Sequence, residues 1–132
     1  MPVQRNHQGK LVLVVDDDDE MRHLLGDVVR DLGLQVAEAT DGDGAIKQML
    51  DVAPHAILTD LSMPAGGFEY IRTVRALYPS CPIILLTVDG AHPTKADAVV
   101  CGVQAVLTKP VSLRDLQRAI IRVLDGKWGP SD

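Results

Sequence analysis

The sequence contains few aromatic residues and few cysteines. One Trp, two Tyr and one Phe make up 3% of its 132 residues, so Val, Leu, Ile and Ala must build the core. The two cysteines, Cys81 and Cys101, show no CxxC motif. They therefore do not have the spacing of a zinc site or of a disulfide framework. We expect two free thiols in a reducing compartment.

The chain also has no long apolar run and no excess of basic charge. No run approaches the ~20 residues that span a bilayer, and the polar start MPVQRNHQGK does not read as a secretory signal. The formal net charge is −5, which argues against binding to nucleic acid or to an anionic membrane surface. These absences predict a cytoplasmic protein.

Short apolar runs alternate with amphipathic stretches along the chain. Hydrophobic residues make up 46% and charged residues 23%, an ordinary globular balance. The apolar runs predict strands at Leu11–Val15, Leu34–Ala39, Ala56–Thr59, Pro82–Leu86 and Gln104–Leu107. Apolar residues at helical spacing predict helices over 21–32, 45–50, 68–77 and 113–124, and a weaker one over 94–101.

The regular alternation predicts one α/β domain. Five strand–helix units fit a doubly wound parallel sheet with helices on both faces. We place this domain at residues 10–126, with tails at 1–9 and 127–132. Asp18, Asp19 and Glu20 are expected to cap the first helix and complement its dipole. Ser112 and Asp115 have capping-box-like spacing, and Gly33 and Gly126 are the expected helix ends. The stripes place Leu24, Leu50 and Leu113 on apolar faces.

Polar residues collect where the predicted strands end. They are Asp16, Asp17, Asp60, Thr87 and Lys109. In an open parallel sheet, ligands bind outside the carboxyl ends of the strands. Crowded carboxylates favour a hard divalent cation such as Mg²⁺, and a lysine with a hydroxyl could hold phosphoryl oxygens. Each residue alone could be an ordinary cap, turn or surface residue, so their joint placement carries the hypothesis of phosphoryl chemistry.

Four segments, VLVVDDDDEMRHLL, ILTDLSMPAGGFEYI, IILLT and VLTKPVS, resemble in this order the receiver domain of two-component response regulators. The resemblance covers about residues 10–125. It implies a flavodoxin-like (βα)₅ fold with strand order 2-1-3-4-5. It also implies a signalling domain rather than an enzyme, although such a domain takes part in its own phosphotransfer and autodephosphorylation.

The resemblance implies a role for each matching residue. Asp60 would accept a phosphoryl group from a phosphohistidine on a sensor histidine kinase or a histidine phosphotransfer protein. Asp17 and Asp60 would ligate Mg²⁺ directly, Asp16 would act mainly through a metal-bound water, and Ser62 would offer its backbone carbonyl to the metal. Phosphorylation would then switch a surface that an unidentified downstream protein reads.

Three further residues of the matching segments gain roles in the same way. Thr87 would donate to a phosphoryl oxygen, Lys109 would pair with another, and Pro110 would follow a cis peptide bond. The readout surface would comprise the predicted helix over 94–101, the last strand and the last helix. The same surface leaves a homodimer possible.

The chain departs from the family pattern at several positions. The loop Ala65–Phe68 is one residue shorter than usual and has no acidic residue before its glycine. Val88 stands where a smaller residue is usual, which should narrow access to the phosphoryl group. Val106 replaces the aromatic residue that many receivers couple to the threonine, and Pro93 should re-aim the helix near it. These changes put the output face in doubt but leave the five strand-end residues intact.

Other functions compete with a phosphorylation switch. The domain could be a phosphate sink or relay, a piece of a larger regulator or hybrid kinase, or an interaction module that does not depend on phosphorylation. A Mg²⁺-dependent phosphohydrolase would carry an acid two residues after its nucleophile, where this chain has Ser62. A flavodoxin would have a first loop rich in Ser, Thr and Gly, whereas this loop is rich in Asp.

Overall fold

The computed structural model describes residues 7–61, 67–88 and 102–126. Within these ranges five strands and four helices alternate, and we label them in chain order. They are β1 (Leu11–Val15), α1 (Asp19–Asp31), β2 (Gln35–Ala39), α2 (Gly42–Asp51), β3 (Ala56–Asp60), α3 (Gly67–Leu77), β4 (Ile83–Val88), β5 (Ala105–Lys109) and α4 (Leu113–Leu124). All five predicted strands are confirmed, and the predicted helix over 94–101 lies outside the described residues.

The five strands form one parallel sheet in the order β2-β1-β3-β4-β5. This order confirms the predicted doubly wound fold. The chain moves from β1 outward to β2 on one side and then returns to β3 on the other side of β1. The boundary between β1 and β3 is therefore the switch point of the topology, where open α/β sheets bind their ligands.

Alternate residues of β1 face the two helical layers. Val12 and Val14 belong to one buried apolar cluster, with residues of α1 and α4. Leu13 and Val15 belong to the other, with residues of α2 and α3. All four are fully buried, as expected for a central strand that is covered on both faces. This layering holds the ends of β1 and β3 rigidly in the middle of the sheet.

Helices α1 and α4 begin at residues with predicted capping roles and end just before the predicted glycines. The Asp18 carboxylate accepts hydrogen bonds from the backbone N–H groups of Glu20 and Met21, and so caps α1. The Ser112 hydroxyl accepts from the backbone N–H of Asp115 and caps α4. Gly33 follows α1 with a φ of 86°, a left-handed conformation that favours glycine. These expectations are confirmed.

The prediction that three leucines belong to the buried faces of their helices is wrong. Leu24, Leu50 and Leu113 are 57%, 71% and 58% exposed. In α1 the buried face is instead formed by residues such as Leu25 and Val29, together with Arg22. A helix buries a limited arc, and a leucine just outside that arc faces solvent in spite of its helical spacing.

Arg75 fixes the start of β5 against α3 and β4. Its guanidinium donates to the backbone carbonyl oxygens of Cys81 at 2.9 Å and Gly102 at 2.7 Å, and to Oε1 of Gln104 at 2.8 Å. The same Gln104 oxygen accepts from the backbone N–H of Ile83 at 2.7 Å. These bonds set the position of the strand that ends at Lys109.

The stretch before β1 packs on the domain. His7 is 2% exposed, and its Nε2 hydrogen-bonds a carboxylate oxygen of Asp125, just after α4. Nζ of Lys10 donates to the other ring nitrogen at 3.1 Å. His7 falls in the predicted tail, and the domain boundary at residue 10 stays a prediction. None of the helices in the described ranges is both long and apolar enough to span a membrane.

Candidate functional site

The polar residues that the sequence places at strand ends meet at one edge of the sheet. Asp16 and Asp17 directly follow β1, and Asp60 is the last residue of β3. Thr87 pairs with Thr108 in the β4–β5 register, one step before Lys109. Because β1, β3, β4 and β5 are parallel, their carboxyl ends bring these side chains to one edge, at the switch point.

Three carboxylates crowd at the centre of this edge. Asp16, Asp17 and Asp60 each offer an oxygen, and the three oxygens lie within 4.8 Å of one another. Asp16 and Asp60 are buried, whereas Asp17 is exposed. Nζ of Lys109 lies 3.6 Å from Oδ2 of Asp16 and 3.4 Å from Oδ2 of Asp60. One ammonium therefore faces three negative charges, a strongly anionic pocket that favours a divalent cation.

The protein environment disfavours the ionised form of the Asp16 carboxyl group. Burial raises the pKa of its carboxyl group, and the backbone N–H of Asp18 and the Lys109 ammonium only partly oppose this effect. The charges of Asp60 and Asp17 raise the pKa further. The backbone N–H of Asp18 donates to Oδ1 of Asp16 at 2.9 Å. A bound cation would relieve this repulsion by neutralising the charge that burial disfavours.

Two buried oxygens point to ligands of this site. Among the described residues, Oδ2 of Asp16 and Oγ1 of Thr87 have no hydrogen-bond partner. Buried polar atoms in native proteins are nearly always paired. A carboxylate oxygen that has only the Lys109 ion pair and no hydrogen bond fits a hydrated Mg²⁺. A hydroxyl without a hydrogen-bond partner fits an oxygen-rich ligand to which it can donate. The donor set is therefore suited to Mg²⁺ and to an oxyanion.

The remaining residues that the sequence predicts for the site differ in their burial, and some lie outside the described residues. Val88 ends β4 and is 52% exposed. Val106 is half-buried and packs on the cluster between the sheet and α2 and α3. The peptide bond between Lys109 and Pro110 is cis, as the family resemblance implies. Ser62 lies outside the described residues, as do Pro93 and residues 65 and 66 of the shortened loop, whereas Gly67 and Phe68 begin α3.

Arg22 is a residue of the site that the sequence reasoning missed. It is 8% exposed, and its Nη1 donates to the backbone carbonyl oxygen of Asp16 at 3.0 Å. Its Nε donates to Glu38 at 2.9 Å and its Nη2 to Asp19 at 2.6 Å. The hydrogen bond with Asp19, above all, raises the pKa of Arg22. Arg22 thus fixes the backbone just after β1, where Asp16 and Asp17 lie.

A second missed group lies behind Asp60. The Thr59 hydroxyl donates to the backbone carbonyl oxygen of Asp60 at 2.9 Å, and the Tyr70 hydroxyl donates to Oγ1 of Thr59 at 3.2 Å. Thr59 and Tyr70 are both buried. The sequence offers one signal for this contact, which is a tyrosine on the apolar face of a helix that needs a partner for its hydroxyl.

The sheet order and the acidic strand edge with its lysine define the class of this protein. A family model of the response regulator receiver domain matches residues 12–121, and the chain belongs to that family. It is therefore a phosphoacceptor signalling domain of two-component systems.

Individual relatives are similar over most of this chain. The chemotaxis protein CheY of Thermotoga maritima is 30% identical over 117 residues, which cover 87% of this chain and 98% of that protein. The phosphate regulon transcriptional regulatory protein PhoB of Pseudomonas aeruginosa is 32% identical over 127 residues, 94% of this chain but 55% of PhoB. The solved structure of Vibrio cholerae CheY4 is 30% identical, with a TM-score of 0.80, and covers 87% of this chain and 98% of that one.

Proposed function

We propose that Asp60 is the phosphoacceptor of this receiver domain. Its carboxylate oxygen would attack the phosphorus of a phosphohistidine, so that a P–O bond forms as the P–N bond breaks and the imidazole leaves. The observation that carries the proposal is the position of Asp60, which shares Lys109 with Asp16 and lies at the topological switch point. The ammonium would offset the charge that approaches a carboxylate nucleophile.

The acidic cluster would hold Mg²⁺ during this transfer. Asp17 and Asp60 are the proposed direct ligands, Asp16 would act mainly through a bound water, and the carbonyl of Ser62 would complete the protein ligands. When bound, the metal supplies charge neutralisation for the phosphoryl oxygens. The oxygen cluster within 4.8 Å and the raised pKa of Asp16 support this assignment.

Thr87 and Lys109 would hold the phosphoryl group on Asp60. Thr87 is 7% exposed, and its hydroxyl has no hydrogen-bond partner among the described residues. It can therefore donate to a phosphoryl oxygen without giving up a hydrogen bond to any of the described residues. Lys109 would pair with another oxygen. Movement of Thr87 toward that group would bias the chain that follows β4.

The donor would be a sensor histidine kinase or a histidine phosphotransfer protein. The curated relatives include a free-standing chemotaxis protein, regulators about twice the length of the matched segment, and the sensor histidine kinase RcsC of Salmonella typhi, 12% of which is covered. A receiver unit thus occurs in several settings. The downstream partner of this one would read α4, β5 and the chain between β4 and β5.

Intact mass spectrometry tests the proposal. The wild type and Asp60→Asn are incubated with phosphoramidate or acetyl phosphate in two parallel reactions. One reaction contains Mg²⁺, and the other contains excess EDTA in its place. We expect the wild type to gain one phosphoryl group only with Mg²⁺, and Asp60→Asn to gain none. Asp31→Asn, which changes an exposed carboxylate beyond the site, is the matched control and should behave as the wild type.

A purified histidine-kinase donor extends the test, since Val88 could exclude small donors. Failure of the wild type with both kinds of donor would overturn the phosphoacceptor role and favour an interaction module that does not depend on phosphorylation. Equal labelling of Asp60→Asn would place the phosphoryl group on another residue.

A further inference from the structure

The Tyr70 hydroxyl is buried close to the residue that precedes Asp60. Tyr70 is 5% exposed, and its hydroxyl oxygen lies 3.2 Å from Oγ1 of Thr59. Burial raises the pKa of Tyr70 to about 12. The phenol therefore keeps its proton at neutral pH and acts as a hydrogen-bond donor.

Thr59 relays this hydrogen bond to Asp60. A threonine hydroxyl has one proton and two lone pairs. Because Oγ1 of Thr59 accepts the proton of Tyr70, its own proton points away from Tyr70 and toward the carbonyl oxygen of Asp60, at 2.9 Å. Thr59 is fully buried, so water does not compete for either bond.

The ring of Tyr70 is a fixed support for this chain of hydroxyl groups. It packs in the apolar cluster beneath α3, together with Ile71, Val74 and strand residues such as Ile57. Buried aromatic rings move little, because their neighbours are close-packed. The hydroxyl chain therefore links a rigid part of α3 to the last peptide group of β3.

We propose that Tyr70 is a positioning residue for Asp60 and acts through Thr59. The hydroxyl chain holds the peptide group between Asp60 and Leu61, and the orientation of that group sets the direction in which the Asp60 side chain leaves the backbone. Phosphoryl transfer is sensitive to such placement, because the attacking oxygen must lie in line with the leaving group. This inference rests on the proposed role of Asp60 as phosphoacceptor.

A double-mutant cycle on the rate of phosphorylation tests the inference. The variants are Tyr70→Phe, Thr59→Val and the double variant, each measured by intact mass with saturating phosphoramidate and Mg²⁺. Loss of one ordinary hydrogen bond predicts a rate about fivefold lower for Tyr70→Phe. Because Tyr70 acts through Thr59, the double variant should be no slower than Thr59→Val.

Two further variants separate positioning from a general effect on folding. Tyr78→Phe removes the other tyrosine hydroxyl of the chain and should leave the rate unchanged. Thr59→Ser keeps the relay hydroxyl and should retain the wild-type rate, and Tyr70→Phe in that background should again be slower. Because Asp60 is also a proposed Mg²⁺ ligand, every rate is measured at saturating Mg²⁺, so that a change in metal affinity does not enter the comparison.

The outcomes distinguish this inference from the proposed function. A wild type that takes no phosphoryl group from any donor overturns both. A wild type that is phosphorylated, beside a Tyr70→Phe variant with the same rate, overturns only the role of Tyr70. Rate losses that multiply in the double variant also overturn it, because they would mean that Tyr70 and Thr59 act separately.

Discussion

Nζ of Lys109 lies 3.4 Å from Oδ2 of Asp60, although β4 separates the strands that carry these two residues. The lysine side chain therefore reaches past the end of β4. It also lies 3.6 Å from Oδ2 of Asp16, which directly follows β1. The ammonium of Lys109, on edge strand β5, thus lies beside carboxylates at the ends of both β1 and β3. This distance explains why a lysine, with its long side chain, suits the end of β5.

Replacement of this lysine tests its role in transfer. We expect Lys109→Met to lower the phosphorylation rate by about a hundredfold, because a fixed charge next to the reacting group is lost. The rate is measured by intact mass with phosphoramidate and Mg²⁺. Lys47→Met, which changes an exposed lysine of α2, is the control. A rate for Lys109→Met within twofold of the wild type would be incompatible with the proposed role.

Thr87 should affect stability and transfer in opposite directions. Thr87→Val has nearly the same shape but lacks the hydroxyl, which has no hydrogen-bond partner among the described residues. We expect the free energy of unfolding to stay the same or to rise by about 1 kcal/mol. The phosphorylation rate should fall by about tenfold, and Thr87→Ser should restore much of it. Urea unfolding and intact mass measure the two effects. A less stable Thr87→Val with an unchanged rate would refute this expectation.

Arg22 should matter for both the fold and the metal site. Its guanidinium bonds the Asp16 carbonyl, Asp19 and Glu38 at once, and a lysine ammonium cannot match that planar geometry. We expect Arg22→Lys to lower the free energy of unfolding by about 2 kcal/mol and to weaken Mg²⁺ binding, as seen by titration calorimetry. Arg114→Lys, an exposed change on α4, should alter neither. Unchanged Mg²⁺ affinity would confine Arg22 to a structural role.

Val88 should control access of water to the phosphoryl group. It follows Thr87, pairs with Lys109 in the β4–β5 register, and is 52% exposed at the end of β4. We expect Val88→Ala to lose its phosphoryl group faster than the wild type. The decay of the phosphorylated mass after removal of the donor measures this rate. Equal decay rates for the two proteins would show that the larger side chain does not shield the acyl phosphate.

Cys81 should be a poor nucleophile at neutral pH. Burial raises the pKa of its thiol from 9.0 to about 11, and Arg75 only partly opposes this. In a Cys101→Ser background, alkylation at pH 8 should be about a hundredfold slower than that of a free thiol, because less thiolate is present. The rate should go on rising above pH 9, and the urea-unfolded chain is the control. A plateau near pH 9 in the folded protein would contradict the raised pKa.

The residues at the strand ends could be predicted because each lies within two residues of the end of an apolar run. Asp16, Asp60 and Thr87 are placed by the strands themselves, and a parallel sheet brings such positions together whatever the loops do. Arg22 could not be predicted in this way. Its burial depends on Glu38 of β2, sixteen residues away in sequence, and no local pattern reveals that partner.

The same reasoning applies to the errors at the helix edges. Leu24 and Arg22 are close in sequence, and hydropathy alone assigns the leucine to the core. The structure buries the arginine instead, because its guanidinium finds three oxygen partners. The contact between Tyr70 and Thr59 likewise depends on how α3 packs on β3, which the spacing of apolar residues does not specify.

The contact between His7 and Asp125 brings residues 7 and 125 side by side at the pole of the domain opposite the acidic edge. A circular permutant should therefore be practicable. A short linker could join residue 126 to residue 7, and new termini could be opened at Ala53, in the exposed turn between α2 and β3. Such a chain would keep every strand neighbour and the whole phosphorylation edge, while its ends would leave the domain beneath β3 instead of beside α4.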